Sequence, residues 1–583
     1  MKTQLHRQRQ RGSALVTILI LGTISLIAAG SLLAWTTTNS NLTSRNNEYY
    51  NAVAAAEAAT EKIIGKIAYD YREGGEAVNQ ANLPTYRQMT PVAAEDAIMG
   101  NFAFTDGQSS SASKSYVAWL PPSGFKVLNS RFSGLQGYTT SFRVVSNARD
   151  KKGRWGITGG VRQDVDVTTI PLFQFAIFYN LDLEIHPGQA MTVTGPVHGN
   201  YDIYLKPGAD LTFEGTVTAA GSLIYGKRPG DCESRTSNPI IDFAIPPSDT
   251  GNQLNMPVGT NGTAANVRQI VEQPPAGESA LSAMGQQRFF NKADMIIELT
   301  GSTLGPTVKV KSGLVDNFAT VIPPGQWNNK FVSYGNSFYN KRESKTVKVV
   351  DIDVKALKKW SETNITLRPK IGGDVSIIYV DDRRTPGATE QLGVRVFNGE
   401  ELPTEGLTIA TRDPIYVKGD FNNKVGAGIS TGHNTTYTRP AALIGDAITI
   451  LSKNWNDSGS LLALLGSRDA ANTTVNAAFM AGINQSASCN YSGGVENFPR
   501  FLEDWSGITF TYNGSMVVMY ESQIAKGLWL GTGATIGIYN PPIRDWAFDQ
   551  NFKNPAKLPP GTPSARTTYR TAYAVLKPNT TPP

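Results

Sequence analysis

Residues 13–35, SALVTILILGTISLIAAGSLLAW, carry no charge. The leader before them, residues 1–12, carries Lys2, His6, Arg7, Arg9 and Arg11 and ends in Gly12. At about 1.5 Å per residue, a helix over this run covers roughly 35 Å, enough to cross a hydrocarbon core of about 30 Å. A secretory signal needs an apolar region of only about 7–15 residues followed by a small-residue cleavage site. Here the run is longer and no clean A-x-A site follows it. The cationic flank before the run and the uncharged flank after it, residues 36–44, place the N-terminus in the cytoplasm. The body of the chain is then expected outside the inner membrane, on a single-pass anchor.

The next stretch, NEYYNAVAAAEAATEKIIGKIAYDY, continues the helix. Tyr49, Val53, Ala56, Thr60, Ile63 and Ile67 recur at spacings of three and four, which is one stripe of an amphipathic helix. Glu48, Glu57, Glu61, Lys62 and Lys66 lie mostly off that stripe. With no proline between residues 13 and 71, the membrane helix is expected to run into the amphipathic one without a break.

RGSALVTILIL followed by NNEYYNAVAAAEAATEKI resembles the N-terminus of type IV prepilins, in particular the PilX-like and type II secretion K-like minor pilins. That resemblance implies leader cleavage between Gly12 and Ser13, N-methylation of Ser13, prepilin peptidase as a processing partner, and other pilin or pseudopilin subunits as assembly partners. It also implies a glutamate at the fifth mature position, where this chain has Thr17. That glutamate is thought to pair with a neighbouring subunit's terminal amine in apolar surroundings, where an unpaired charge is costly. Thr17 therefore points to a minor or tip subunit.

The rest of the chain suits an exported β-rich protein. Its 583 residues include 56 Gly and 33 Pro, and only 17% are charged, a composition that favours turn-rich β-structure. The net charge of +6 owes several units to the leader. No basic patch with interleaved aromatics remains, so nucleic acid is not expected as a partner. Cys232 and Cys489 are the only cysteines and fit no zinc spacing. Outside the membrane they can form a disulfide; two unrelated buried thiols are the alternative.

YTTSFRVVSNARDKKGRWGITGGVRQDVDVTTI reads as two or three antiparallel strands with turns at Asp150 and at Gly159-Gly160. Then EIHPGQAMTVTGPVHG and YLKPGADLTFEGTVTA align with a shift of twenty. Pro187 matches Pro207, Gly188 matches Gly208, Thr192 matches Thr212, Gly195 matches Gly215 and Val197 matches Val217. Such a period describes coils of a β-solenoid, with two hairpins of an antiparallel sheet as the alternative. Runs such as GLTIATRDPIYVKGDFN, RPAALIGDAITILS and ITFTYNGSMVVMYES read as further rungs.

The expected fold class is α+β, mostly β. A leader (1–12) and a membrane and pilin helix (13–70) precede a small pilin-like α+β head (71–170). A right-handed parallel β-helix follows (171–540, with an insertion at about 226–400), and then a Pro-rich C-terminal tail (541–583). NYSGGVENFPRFLEDWSG, YNPPIRDWAFDQNF and LPPGTP resemble large pilin-like proteins associated with hormogonium polysaccharide secretion. Locally, Trp505, Trp529 and Trp546 with Pro541 and Pro542 read as an aromatic cap on the solenoid end, with an exposed aromatic platform for sugar as the alternative.

β-Helices can host polysaccharide-cleaving enzymes, which need paired carboxylates. Asp381, Asp382, Asp413, Asp420 and Asp446 are the candidates. Asp381 and Asp382, before Arg383 and Arg384, read as a solvated ion-pair turn, and Asp413 before Pro414 as a turn residue. His186 and His198 read as satisfied turn or surface histidines without further metal ligands. No nucleophile elbow, phosphate loop or dinucleotide fingerprint occurs. The sequence thus points to a structural subunit with no catalytic residues, metal or cofactor. The alternative is a single-pass surface protein that binds or processes extracellular polysaccharide.

Overall fold

The computed structural model describes residues 13–577, apart from 109–111, 129–131, 250, 260–261, 302–304, 313–317, 319, 323–330 and 462–463. Strand is the commonest regular structure among the described residues, alongside one long apolar N-terminal helix. That helix, α1 (Ser13–Ala81), is 69 residues long and is interrupted only at Gly75, whose φ of 75° and ψ of −164° only glycine adopts readily. It extends past the expected end at residue 70 because nothing before Gly75 breaks it.

The two halves of α1 live in different surroundings. Residues 13–47 are almost wholly exposed, and an 18-residue window there is long and apolar enough to cross a membrane. Its threonines demand nothing from solvent: Thr17, Thr36, Thr37 and Thr38 each donate to the carbonyl four residues back. Burial starts at Glu48 and continues through Ala52, Ala55, Ala56, Ala59, Thr60, Ile63 and Ile67. The expected stripe is right from Ala56 onward. Before it, the buried face is rotated onto alanines, leaving Tyr49 and Val53 only half-buried. Small side chains win there because helix and sheet nearly touch: a Cβ on Gly159 would lie 2.5 Å from the Val53 nitrogen.

The sheet under the helix comprises β1 (Phe102–Thr105), β2 (Tyr116–Val127), β3 (Gln136–Asp150) and β4 (Thr158–Pro171). β3 pairs antiparallel with β1, β2 and β4, and Ile63, Ile67 and Tyr71 pack on Phe142, Val144, Val165 and Val167. A fifth strand, Ser564–Leu576, pairs antiparallel with β4 along nearly its whole length. Residues 564–576, expected in a C-terminal tail, therefore belong to the head sheet. The alternation in SARTTYRTAYAVL has no strand beside it in sequence and finds its partner in β4. Where the chain leaves the head and where it returns lie side by side, with the Leu172 N–H donating to the Pro563 carbonyl at 2.9 Å.

Beyond β4, parallel pairing takes over. The strands are β5 (Ile177–Tyr179), β6 (Leu183–Ile185), β7 (Met191–Val193), β8 (Val197–Gly199), β9 (Ile203–Leu205), β10 (Leu211–Phe213), β11 (Val217–Ala219), β12 (Leu223–Ile224) and β13 (Ile241–Phe243). β5 pairs with β8 and β8 with β11, so Ile177 lies on Val197 and Val197 on Val217. β6, β9 and β12 form a second parallel ladder, and β7, β10 and β13 a third. The twenty-residue shift also stacks side chains. Asn200 donates to Asn180, the Ser222 N–H donates to Asp202, and Phe178 stacks on His198. Gly195 and Gly215 meet at one corner, where a Cβ on Gly215 would come within 2.4 Å of the Gly195 backbone.

The spatial order of rungs differs from their order in the chain. β5 pairs on its other edge with residues 516–518. From there the same ladder steps through 478–480, 441–444, 407–411, 377–382 and 295–299. The first rungs in sequence thus sit on the last. Strands within 226–400, notably Met295–Leu299, Lys345–Asp353, Ile377–Asp382 and Glu390–Gly399, belong to the parallel ladders. The expected insertion is therefore not set apart from the stack. Trp505 is fully buried beside Phe501 and Phe510, next to Asp504, which bridges both Asp469 and Asn540.

Candidate functional site

The expected processing site begins outside the described residues, with Gly12 and the rest of the leader, 1–12. Ser13 is the first described residue and opens α1. Thr17, four residues on, turns its hydroxyl back to the Ser13 carbonyl at 2.8 Å. It presents no charge to a neighbouring helix. At the other end of the exposed half, the carboxylate of Glu48 is buried and accepts N–H bonds from Trp155 and Ile157 at 3.1 and 3.0 Å. This charge, which the helical pattern put off the packing face, fastens α1 to the turn between β3 and β4.

Cys232 and Cys489 form a disulfide with Cα atoms 4.7 Å apart. Both are exposed, unlike the buried thiols of the alternative reading. The bridge pins residues 226–240 to the 484–492 turn, where the Cys489 N–H also donates to the Gly230 carbonyl.

Just inside the bridge, donor atoms of Glu184, His186 and Asp231 lie within 4.8 Å of one another, the spacing of a metal site. The histidine chemistry argues against that use. The Lys206 amide N–H donates to His186 Nδ1 at 3.0 Å, so the ring proton must sit on Nε2, the nitrogen facing Glu184 at 3.8 Å. A metal ion there would need a doubly deprotonated ring. Burial opposes charge on Glu184, yet His186 and the hydroxyls of Ser486 and Ser492 hold its pKa below the usual value. His186 and His198 are both buried rather than at the surface. Burial pulls His198 down to about 4, so it stays neutral between Thr218 and Asn200.

The candidate carboxylates are also more buried than expected. Asp381 and Asp382 have no exposed surface and pair with Arg383 and Arg384, so their turn is not a solvated one. Asp446 accepts N–H bonds from Gln523, Ile524 and Ala525 and pairs with Arg268. Its own N–H reaches the Asp413 carbonyl at 3.1 Å. Burial, with Asp382 and Asp446 close by, raises Asp413 to about 7. These groups fasten successive corners of the stack. Asp420 accepts the Thr474 N–H and lines a 360 Å³ cavity with Arg395, Lys418 and Lys453.

A cavity of about 340 Å³ lies next to the disulfide. Its walls include Tyr491, Trp529, Tyr539, Glu496, Arg235 and Arg544. Tyr491 and Trp529 meet edge to face at 5.3 Å, and the Trp529 indole N–H donates to the Tyr539 hydroxyl, which donates to Asn497. Glu496 accepts the Tyr491 hydroxyl and the His186 N–H, and burial raises its pKa. Sequence reasoning singled out Trp529 here but missed Tyr491, Tyr539, Glu496, Arg235 and Arg544. The available signal was the Gly493-Gly494 pair, whose φ values of 96° and 67° turn the chain back under the tryptophan.

No protein-family model, curated protein or solved structure matches the chain.

Proposed function

We propose that this chain is a minor pilin or pseudopilin-like structural subunit, processed between Gly12 and Ser13 and methylated on Ser13. The observation that carries the reading is the division of α1. Its first half is almost wholly exposed among the described residues, while its second half lies under a five-stranded sheet. An anchor needs only the first half. A subunit that joins a bundle of helices through one half and displays a head on the other needs both. On this reading the N-terminus is cytoplasmic and the head lies outside the inner membrane, where the disulfide is at home. Thr17 in place of a charged residue, and a head of this size, favour a tip or priming position over a repeated one.

The parallel ladders, their twenty-residue register and the stacked Asn180–Asn200 pair support reading the large domain as a β-solenoid, a rigid body displayed on the helix. N-terminal sequencing and mass spectrometry of the protein from its native membrane test the proposal. A methylated Ser13 terminus is expected, and Gly12→Val should leave the leader in place. Intact Met1 in mature protein from a peptidase-positive cell overturns it and leaves a plain single-pass anchor.

A further inference from the structure

Where the first rungs meet the later ones there is a much smaller cavity of about 10 Å³, room for a single water-sized body. Tyr179 of β5 and Glu184 of β6 line it together with Arg342, Asn484 and Arg500. Arg342 sits on the turn between the strands Ser337–Asn340 and Lys345–Asp353.

Positive charge is in excess on these walls. Arg500, 6% exposed, is matched: it pairs with Glu343 at 2.8 Å and donates to the Ala525 carbonyl. The other Glu343 oxygen accepts the Gly527 N–H. Arg342, half-buried, gives its Nε–H to the Gly527 carbonyl at 3.2 Å, and its terminal nitrogens have no acceptor among the described residues. Burial first, and Arg500 next, pull Arg342 down to about 9. Two guanidinium groups thus share one carboxylate, and an unmatched charge in such a place is costly unless something supplies its counterpart.

A second unmatched group lies on the same wall. Tyr179 is 1% exposed, and its hydroxyl has no hydrogen-bond partner among the described residues. The carboxylates that line the cavity are committed elsewhere. Glu184 accepts from Ser486 and Ser492 and faces His186, while Asp182 pairs with Arg228 and accepts the Asp202 N–H. A water molecule satisfies the hydroxyl but leaves the charge unmatched; a small anion answers both.

We propose that this cavity binds one monatomic anion, a halide such as chloride, held by the terminal N–H groups of Arg342 and the Tyr179 hydroxyl. The ion ties the turn that carries Arg342 to β5, the first rung in sequence. The inference concerns the stack and stands whether or not α1 enters a filament.

The test is chloride NMR of the full-length protein in detergent. Excess chloride linewidth is expected, removed by bromide and not by the same concentration of glutamate, an anion too large for the cavity. Arg342→Gln and Tyr179→Phe should each weaken chloride binding by about tenfold or more. Tyr179→Phe removes only an unpaired hydroxyl, so it decides the matter where Arg342→Gln does not fold. No excess linewidth in the wild-type protein, or displacement by glutamate equal to that by bromide, overturns the proposal. So does unchanged affinity in either folded variant.

Discussion

In the head, β3 and β4 run for 15 and 14 residues, whereas β5 to β11 in the stack are three residues each. A long antiparallel strand carries its cohesion along its own length and needs one buried face, which α1 supplies. A three-residue strand buries little by itself and depends on the rungs above and below it. Yet both regions are completed by distant segments: the head by Ser564–Leu576 on β4, the stack by residues 516–518 on β5. The comparison teaches that neither region is finished until the C-terminal part of the chain arrives, so head and stack should be coupled in folding although their internal logic differs.

Truncation after Pro563 tests that coupling most severely. Removing the fifth strand strips β4 of a ladder of roughly a dozen residue pairs, a loss on the order of 5 kcal/mol or more. Hydrogen exchange should show the head amides of β3 and β4 losing protection first. If the head stays protected while the stack opens, the closing strand matters less than the helix. Next comes the disulfide. Cys232 and Cys489 are separated by 257 residues, and closing so long a loop is worth about 5–6 kcal/mol in the chain-entropy account. Cys489→Ser should lower protection around β6 and residues 484–500 and leave α1 and β4 untouched.

Gly215→Val sharpens the contrast at a smaller scale. Its Cβ would collide with the Gly195 backbone, so the β8–β11 step should lose about 2–3 kcal/mol by denaturant titration. Gly30→Ala, where nothing lies within 4 Å, is the matching control in the exposed half of α1 and should leave head and stack unchanged. The smallest effect is a pH slope. Asp413 is raised to about 7 against an ordinary 3.8, so the folded state keeps its proton longer than the unfolded state. Its contribution is then fully present at low pH and is lost as pH rises from about 4 through about 7. Asp413→Asn should flatten that decline in the stack. An identical slope in the variant would show that another buried group sets it, Glu503, also raised to about 7, being the first to examine.

Much of this was legible in the residues. The uncharged run, the absence of proline and the alternation of β3 and β4 each state a local preference that the tertiary structure has no reason to overrule. The shift of twenty between residues 187–197 and 207–217 was legible for the same reason: a repeat in sequence demands a repeat in register. What escaped was everything set by partners far away in the chain. Glu48 looked like a solvent-facing charge, because helical periodicity cannot know that the turn after β3 offers two free N–H groups. Asp381, Asp382 and His198 looked exposed, because side-chain type alone suggests a polar turn when the arginines and stacked rings that accommodate them are unseen.

The sequence by itself determined that a long apolar helix precedes a β-rich body, and that part of that body repeats every twenty residues. Both follow from short-range spacing, which the backbone reads directly as helix or rung. Only the tertiary structure decided that the first rungs rest on the last, that the C-terminal strand belongs to the head, and that Arg235, Arg544 and Glu496 line one cavity. Those are contacts between segments hundreds of residues apart. They depend on which unpaired edges and unsatisfied groups remain after local structure has formed, a quantity no single stretch of sequence contains.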